Sequence, residues 1–454
     1  MSLMERIQEQ TACVCVLGLG YVGLPLAVCL AEAGYQVVGL DIDQRRIRSL
    51  QEGCSYILDV PADRIARLVA SGALRPTGDY DGVAGADVIF ICVPTPFDAM
   101  KAPDLSAIVS AATGIAPRLK PEQLVILQST TYPGTTEDVV LPILEQSGLR
   151  AGEDFFLAFS PERINPGDKI YHVGNLPKVV GGLTPHCAEL AQALLSRLSP
   201  AVHAVSSPRA AEMSKLLENI FRSVNIALVN ELALLCERMG IDIWEVIEAA
   251  ATKPFGFMPF YPGPGTGGHC IPVDPYYLSW KAREYDFYTK FIELAAEVNQ
   301  GMPYHVVDLV ARALDARGQP LRNSRVLILG VAFKKDVDDA RNSPAERIID
   351  LLLERGAVVS YNDPYVPRFR TGHNVFHRQE AELASQTLSQ DLLRGSDCVV
   401  IVAGHSCYDY KWIADQCTLL VDTVNATRGI ERSTARIVRL GAPQAMISKG
   451  SDRV

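Results

Sequence analysis

Residues 12–41 read ACVCVLGLGYVGLPLAVCLAEAGYQVVGLD, and this stretch decides the fold. Residues 12–17 are short, apolar and ended by glycine, the pattern of a buried strand. Gly18-Leu19-Gly20-Tyr21-Val22-Gly23 follows, then an apolar helical run to Gly34, then a second strand that delivers Asp41. GxGxxG alone is weak evidence. Set between strand and helix, with an acid about 20 residues on, it is the dinucleotide fingerprint. Gly18 makes the tight turn, Gly20 lets the backbone reach a pyrophosphate, and Gly23 lets helix and strand pack. The helix N-terminus offers N–H donors and a positive dipole end. Asp41 is placed to accept from an adenosine ribose, which favours NAD over NADP. Arg45 and Arg46 argue the other way, and are expected on the solvent side of the next helix.

The α/β rhythm continues outward. Strands are expected at 87–93, 124–128 and 155–159. Each ends in a polar, proline-containing loop: Pro94-Thr95-Pro96, 129–134 (STTYPG) and 160–167 (SPERINPG). Ligands of doubly wound sheets bind at the carboxyl ends of strands, so these loops are candidate contacts. Ser, Thr, Pro and Gly also favour ordinary turns. Glu162 falls where a general base would sit, although an exposed loop glutamate is the commoner case.

Residues 209–251 lack strand signals and proline. The run from Arg209 to Gly240 is apolar around most of its circumference, which places it in a core or between subunits. Lys215 and Asn219 share one face of it at i, i+4. On a mostly buried helix they need partners, or the lysine snorkels at the edge. A short helix then leads to residues 261–280, YPGPGTGGHCIPVDPYYLSW. Its glycines and prolines forbid a regular element, so it is a shaped loop. It is either the seat of a nucleophile, Cys270, with Asp274 nearby, or a structural loop with an incidental thiol. A further helix is expected through Asn299. After a polar link at 316–324, strands at 325–329, 357–364, 398–404 and 418–424 make a second, smaller parallel sheet without GxGxxG. Lys334, Lys335 and Arg341 are placed to meet phosphates there.

The chain has 454 residues, net charge −9 and 48% hydrophobic residues. That length exceeds one core and calls for two or three domains. The acidic balance argues against nucleic acid or an anionic membrane as partner. Residues 1–10 lack an apolar signal core, and no apolar run is expected to span a bilayer. The eleven cysteines form no CxxC pair, so neither a disulfide framework nor a zinc or other metal site is expected, and the compartment is expected to be cytoplasmic.

Taken together, GLGYVGLP, VPTP, STTYPGT, SPER, the Lys215/Asn219 helix, PGPGTGGHCIPVDP, and FKKD with DARNSP resemble, in order and over nearly the whole chain, the UDP-glucose/GDP-mannose dehydrogenase superfamily. The resemblance implies two Rossmann-like α/β domains, at 1–205 and 316–454, joined by a helical dimerisation region at 206–315. It implies NAD-dependent four-electron oxidation of a sugar C6 alcohol to a carboxylate. Cys270 then looks like a nucleophile passing through a thiohemiacetal and thioester. Lys215 and Asn219 look like oxyanion and water-orienting groups. Asp274 looks like their partner and an acid/base, and Glu162 and Thr130 like the groups handling proton or water. Cofactor contacts fall at Gly18, Gly20, Tyr21, Val22, Gly23, Asp41, Pro94, Thr95, Thr130 and Arg341. Substrate contacts fall at Glu162, Arg163, Ile164, Asn165, Lys215, Asn219, Gly267, Phe333 and Lys334. GGHC-IPVD and SPERINPG resemble the branch acting on UDP-N-acetylhexosamines, foremost UDP-N-acetylglucosamine. UDP-glucose and UDP-N-acetylmannosamine are the alternatives. An NAD- or nucleotide-sugar-binding protein without turnover is the rival of a different class, and it would have no need of the thiol. The role of His269 stays open.

Overall fold

The structure is a computed structural model that describes residues 1–57, 59–98, 101–164, 173–268, 271–372 and 380–443. It divides into two compact units. One comprises Met1–Glu218 and Tyr276–Tyr288, the other Asn219–Pro275 and Thr289–Val454. The helical region read from sequence as one block is thus shared between the two.

The first unit holds an eight-stranded sheet: β1 (Cys13–Leu17), β2 (Gln36–Leu40), β3 (Leu74–Thr77), β4 (Val88–Ile91), β5 (Leu124–Leu127), β6 (Phe156–Phe159), β7 (Lys178–Gly182) and β8 (Val202–Val205). The order is β3-β2-β1-β4-β5-β6-β7-β8. Its central strands are continuous apolar runs because helices cover both faces, as in β1, β4 and β5. The β1–β2 register pairs Leu17 with Leu40, so Gly18 and Asp41 emerge side by side. From β1 the chain winds one way to β2 and β3, then returns to β4. The carboxyl ends of β1 and β4 therefore flank a switch point, which sets the Gly18–Gly23 turn beside the Pro94-Thr95 loop. The sheet is parallel except at one pair. β7 pairs antiparallel with β6 and parallel with β8. Helix α1 (Gly23–Glu32) packs its apolar side chains into the core of this sheet.

The second unit carries β9 (Arg325–Leu329), β10 (Val358–Asn362), a small hairpin of β11 (Arg368–Thr371) and β12 (Ala381–Ala384), then β13 (Cys398–Ile401), β14 (Leu419–Asp422) and β15 (Arg436–Arg439). Its five-stranded parallel sheet has the order β10-β9-β13-β14-β15.

Helix α2 (Pro208–Met239) begins in the first unit and ends in the second. It differs from the buried helix, apolar around most of its circumference, that its composition implies. Glu212, Lys215, Asn219, Ser223 and Asn230 are buried, whereas Leu217 and Met239 are each 60% exposed. By length and composition it is also long and apolar enough to cross a membrane, contrary to the expectation that no run is. On its inward face Glu212, Asn219 and Asn230 are bound to protein groups. Helix α3 (Ile243–Ala251) follows, then the 261–273 loop, helix α4 (Asp274–Ala282) and helix α5 (Lys290–Asp315). The expected end at Asn299 is also corrected, since α5 runs on through Pro303. Proline there removes the donor for the Asn299 carbonyl. Gly265 comes so close that an added Cβ would lie 3.3 Å from that carbonyl oxygen and 3.1 Å from Pro344 Cβ.

Candidate active site

In the first unit the three fingerprint glycines have separate reasons to be glycine. Gly18 has φ +89°, and a Cβ there would sit 2.5 Å from the Cys92 carbonyl oxygen. At Gly23 a Cβ would meet the Gly18 carbonyl at 1.8 Å. At Gly20 it would meet nothing within 4 Å. Packing therefore explains Gly18 and Gly23 but not Gly20, whose open side suits the close approach of a pyrophosphate. Tyr21 and Val22 are half-buried beside it. Buried Asp41 accepts from Leu19 N at 2.8 Å and Asp43 N at 2.9 Å. Arg45 lies in solvent on Asp43, as expected. Arg46 is exposed as well, but it pairs with Asp41 at 3.2 Å and lies over the Tyr56 ring. A 2′-phosphate reaching Arg46 would meet the Asp41 carboxylate, so the donor set fits NAD and disfavours NADP.

The loops after β4 and β5 are tied together. Thr95 Oγ1 donates to the Thr130 carbonyl at 2.8 Å, and the Tyr277 hydroxyl donates to the Thr95 carbonyl. Pro94 is exposed. Ser129 Oγ donates to Val93 O at 2.7 Å. Glu212, buried on α2, accepts from Gly134 N at 2.6 Å, Thr136 N at 2.9 Å and Thr136 Oγ1 at 2.6 Å. Burial pushes its carboxyl above the usual range despite those donors. One turn on, Lys215 is buried. Glu212 thus ties the 134–136 segment to the helix.

Glu162 lies at the end of β6, 5% exposed, not in an exposed loop. Its Oε2 accepts from Lys178 Nζ at 3.0 Å and Gln128 Nε2 at 2.9 Å. Its Oε1 accepts from the amides of Arg163 at 2.8 Å and Ile164 at 3.1 Å. The carboxylate thus shapes the Arg163–Ile164 segment. Arg163 in turn bonds Glu218 at 2.7 Å and the Pro177 carbonyl at 2.9 Å. Asn165 lies outside the described residues.

In the second unit Asn219 Nδ2 donates to Asp274 Oδ2 at 2.5 Å, with both residues buried. The loop that carries the candidate nucleophile is held at its start. Gly263 N donates to Asn230 Oδ1 at 3.0 Å, and Asn230 Nδ2 donates to Asn299 Oδ1 at 2.9 Å. Further along, Gly268 N donates to the Arg341 carbonyl at 3.1 Å, and Asn342 Nδ2 donates back to the Gly268 carbonyl at 3.1 Å. Side chains at Gly267 and Gly268 would strike Phe333 at 2.9 Å. His269 and Cys270 lie outside the described residues. Arg341 is half exposed and fork-bonded to Asp339 at 2.9 and 2.7 Å. Phe333 and Lys334 are half-buried in the loop after β9.

Sequence reasoning missed Gln128, Lys178, Glu212, Asn230, Tyr277, Asn299 and Asn342. One signal was available. Polar residues at 212, 215, 219, 223 and 230 recur at helical spacing in an otherwise apolar run.

The sequence matches the NAD binding domain of the UDP-glucose/GDP-mannose dehydrogenase family over residues 12–199. It matches that family's central domain over 209–301 and its UDP binding domain over 327–429. A UDP-N-acetyl-D-glucosamine 6-dehydrogenase of Pseudomonas aeruginosa is 44% identical over 357 residues, covering 78% of this chain and 83% of the relative. The structure of a UDP-D-ManNAc dehydrogenase from Pyrococcus horikoshii superposes with a TM-score of 0.85 at 32% identity, over 94% of this chain and 99% of that one. A UDP-glucose dehydrogenase from Pyrobaculum islandicum superposes with a TM-score of 0.83 at 28% identity, over 95% and 98%.

Proposed function

Because the chain belongs to the UDP-glucose/GDP-mannose dehydrogenase family and is an NAD-dependent oxidoreductase, we propose that it oxidises the C6 alcohol of a UDP-N-acetylhexosamine to the uronic acid. UDP-N-acetylglucosamine is the first choice, and the uronic acid, made in the cytoplasm, supplies surface polysaccharide. The observation that carries the reaction is the buried Asn219–Asp274 bond on the helix that also bears Lys215. The 44% identical relative carries the sugar.

Gly18, Gly20, Gly23, Asp41, Thr95 and Thr130 would hold NAD, which when bound supplies the two-electron acceptor. Lys215 and Asn219 meet the oxygen that becomes anionic as the alcohol is oxidised and as water adds. Asp274 fixes the Asn219 amide so that its second N–H faces that oxygen. Cys270 traps the aldehyde as a thiohemiacetal, which a second oxidation turns into a hydrolysable thioester. Glu162, already accepting from four donors, holds Arg163 and Ile164 against the sugar and shares proton handling with Asp274; Thr130 orients the water. Phe333 and Lys334 take the nucleotide, and Arg341 meets phosphate. On α2, Leu217, Phe221, Leu228, Leu232, Leu235 and Met239 form an exposed apolar stripe. A second copy of the chain would cover it, giving a homodimer.

NADH formation with a panel of UDP-sugars tests this reading. About two NADH per UDP-N-acetylglucosamine, abolished in Cys270→Ala while NAD still binds, is the expected result. The superposition on the UDP-D-ManNAc dehydrogenase favours UDP-N-acetylmannosamine as second substrate. Faster turnover of that sugar or of UDP-glucose would replace the first choice and keep the mechanism. Full activity in Cys270→Ala would end the thiol mechanism.

A further inference from the structure

The smaller sheet leaves β9 for β10 on one side and returns to β13 on the other. The loops after β9 and β13 therefore flank its switch point, where an open α/β sheet takes a ligand. The loop after β9, residues 330–336, carries Phe333 and Lys334, and it is fixed at both ends. At the near end, Val331 N and Ala332 N donate to Asp363 Oδ2 at 2.7 and 2.9 Å. At the far end, Asp336 N donates to His405 Nδ1 at 2.9 Å. The Asp336 carboxylate also accepts from Ser406 N at 2.7 Å and Ser406 Oγ at 2.6 Å. His405 Nε2 lies 3.0 Å from Asp363 Oδ2, and neither side chain of that pair is exposed. The Asp336 amide is an obligatory donor, so Nδ1 is the acceptor and Nε2 carries the hydrogen given to Asp363. The rings of Tyr365 and Tyr408 enclose the imidazole at 5.0 and 5.6 Å.

We propose that His405 is a positioning residue: it ties the two ends of the 330–336 loop and so holds Phe333 and Lys334 ready for the nucleoside diphosphate. The inference rests on the UDP-sugar reading above. A histidine kept only for packing would need one polar partner. This one uses both ring nitrogens, Nδ1 on the Asp336 amide at the loop's far end and Nε2 on the Asp363 carboxylate that holds its near end, and that loop opens on the switch point.

Titration calorimetry with UDP, together with steady-state kinetics, tests it in three variants of the full chain. His405→Gln keeps an N–H towards Asp363 and removes the acceptor for Asp336. His405→Asn keeps a carbonyl oxygen near the Nδ1 position. Ser406→Ala, at an exposed position, removes only the hydroxyl on Asp336. In His405→Gln the Kd for UDP and the KM for the sugar nucleotide rise about tenfold, the worth of one hydrogen bond, while kcat and the KM for NAD stay within about twofold. His405→Asn recovers UDP affinity to within about threefold of wild type, and Ser406→Ala weakens it about threefold. Unchanged UDP affinity in a folded His405→Gln overturns the proposal. So does an equal loss in both histidine variants with kcat and NAD affinity falling alongside, which would be lost packing. If neither histidine variant folds, unchanged UDP affinity in Ser406→Ala overturns it. Wild-type protein that binds UDP but oxidises no UDP-sugar would refute the proposed function, and the UDP titrations would still decide the role of His405.

Discussion

The turn after β1 opens with Gly18 at φ +89°, and Asp41, just past the neighbouring strand, accepts the Leu19 amide at 2.8 Å. The turn after β9 opens with Gly330 at φ +80°, and Asp363, just past its neighbouring strand, accepts the Val331 amide at 2.7 Å. The two units share a strut: a left-handed glycine turns the chain, and a carboxylate one strand over ties the loop. They differ in what is left for a ligand. Asp41 serves two amides and Arg46. Asp363 serves the amides of Val331, Ala332, Tyr365 and Val366 as well as His405. The first carboxylate keeps acceptor capacity for a ribose, while the second is consumed in holding its own loop. In the function we propose, the same architecture reads a nucleotide through its acid in one unit and through the loop tip, Phe333 and Lys334, in the other.

The comparison is broken most directly at Asp363. Asp363→Ala strands several buried donors and should lower the stability of the second unit by about 3–5 kcal/mol, seen as an earlier denaturant transition. Asp41→Ala should cost the first unit only about 1–3 kcal/mol, while weakening NAD binding at least about tenfold. Equal stability losses would mean that the two struts are equivalent. Next come the glycines. Gly330→Ala forces a Cβ to 2.5 Å from the Ala403 carbonyl oxygen, and Gly18→Ala does the same against Cys92. Each should lose about 2–4 kcal/mol of stability. Fluorescence titration should show that only Gly18→Ala also loses NAD.

Acid sharpens the contrast further. Burial pushes the Asp363 carboxyl up, but the His405 hydrogen bond and the backbone donors outweigh it and hold it below the usual range. A depressed carboxyl contributes stability above its unfolded value, about 4, and loses it as the pH falls through the lower folded value. Unfolding midpoints measured from about pH 5 down to about pH 3 should therefore fall more steeply in wild type than in Asp363→Asn. Parallel slopes would remove Asp363 from the acid response. The smallest effect belongs to Arg46→Ala. It removes the pairing of a half-exposed arginine with buried Asp41, worth about 0–1 kcal/mol, and it should change NAD affinity less than about threefold without creating NADP preference.

The β1–turn–α1 segment was legible because strand periodicity, glycine spacing and the acid at 41 all act locally. The second sheet was legible for the same reason, from apolar runs at 325–329 and 398–401. β7 and β8 were not, since Lys178 and the half-exposed Val202–Val205 break the apolar pattern, and antiparallel pairing leaves no trace in one strand. Lys215, Asn219 and Asp274 could be named from motif and resemblance. Of the residues that hold the loops, Glu212 and Asn230 left only their helical spacing as a signal, and Asn299 and Asn342 left none.

The sequence by itself determined the Gly18–Gly23 turn, the acid at 41 and the two successive sheets, because each is set by residue type and short spacing, and its motifs together gave the family. Only the tertiary structure decided that Glu162 is a buried hub on Lys178 and Gln128. It alone decided that α2 turns its polar stripe inward and part of its apolar one outward, and that His405 closes the 330–336 loop. Those facts depend on side chains tens to hundreds of residues apart meeting at hydrogen-bond distance. A buried polar group must find such a partner, but nothing in its own stretch of chain says which one.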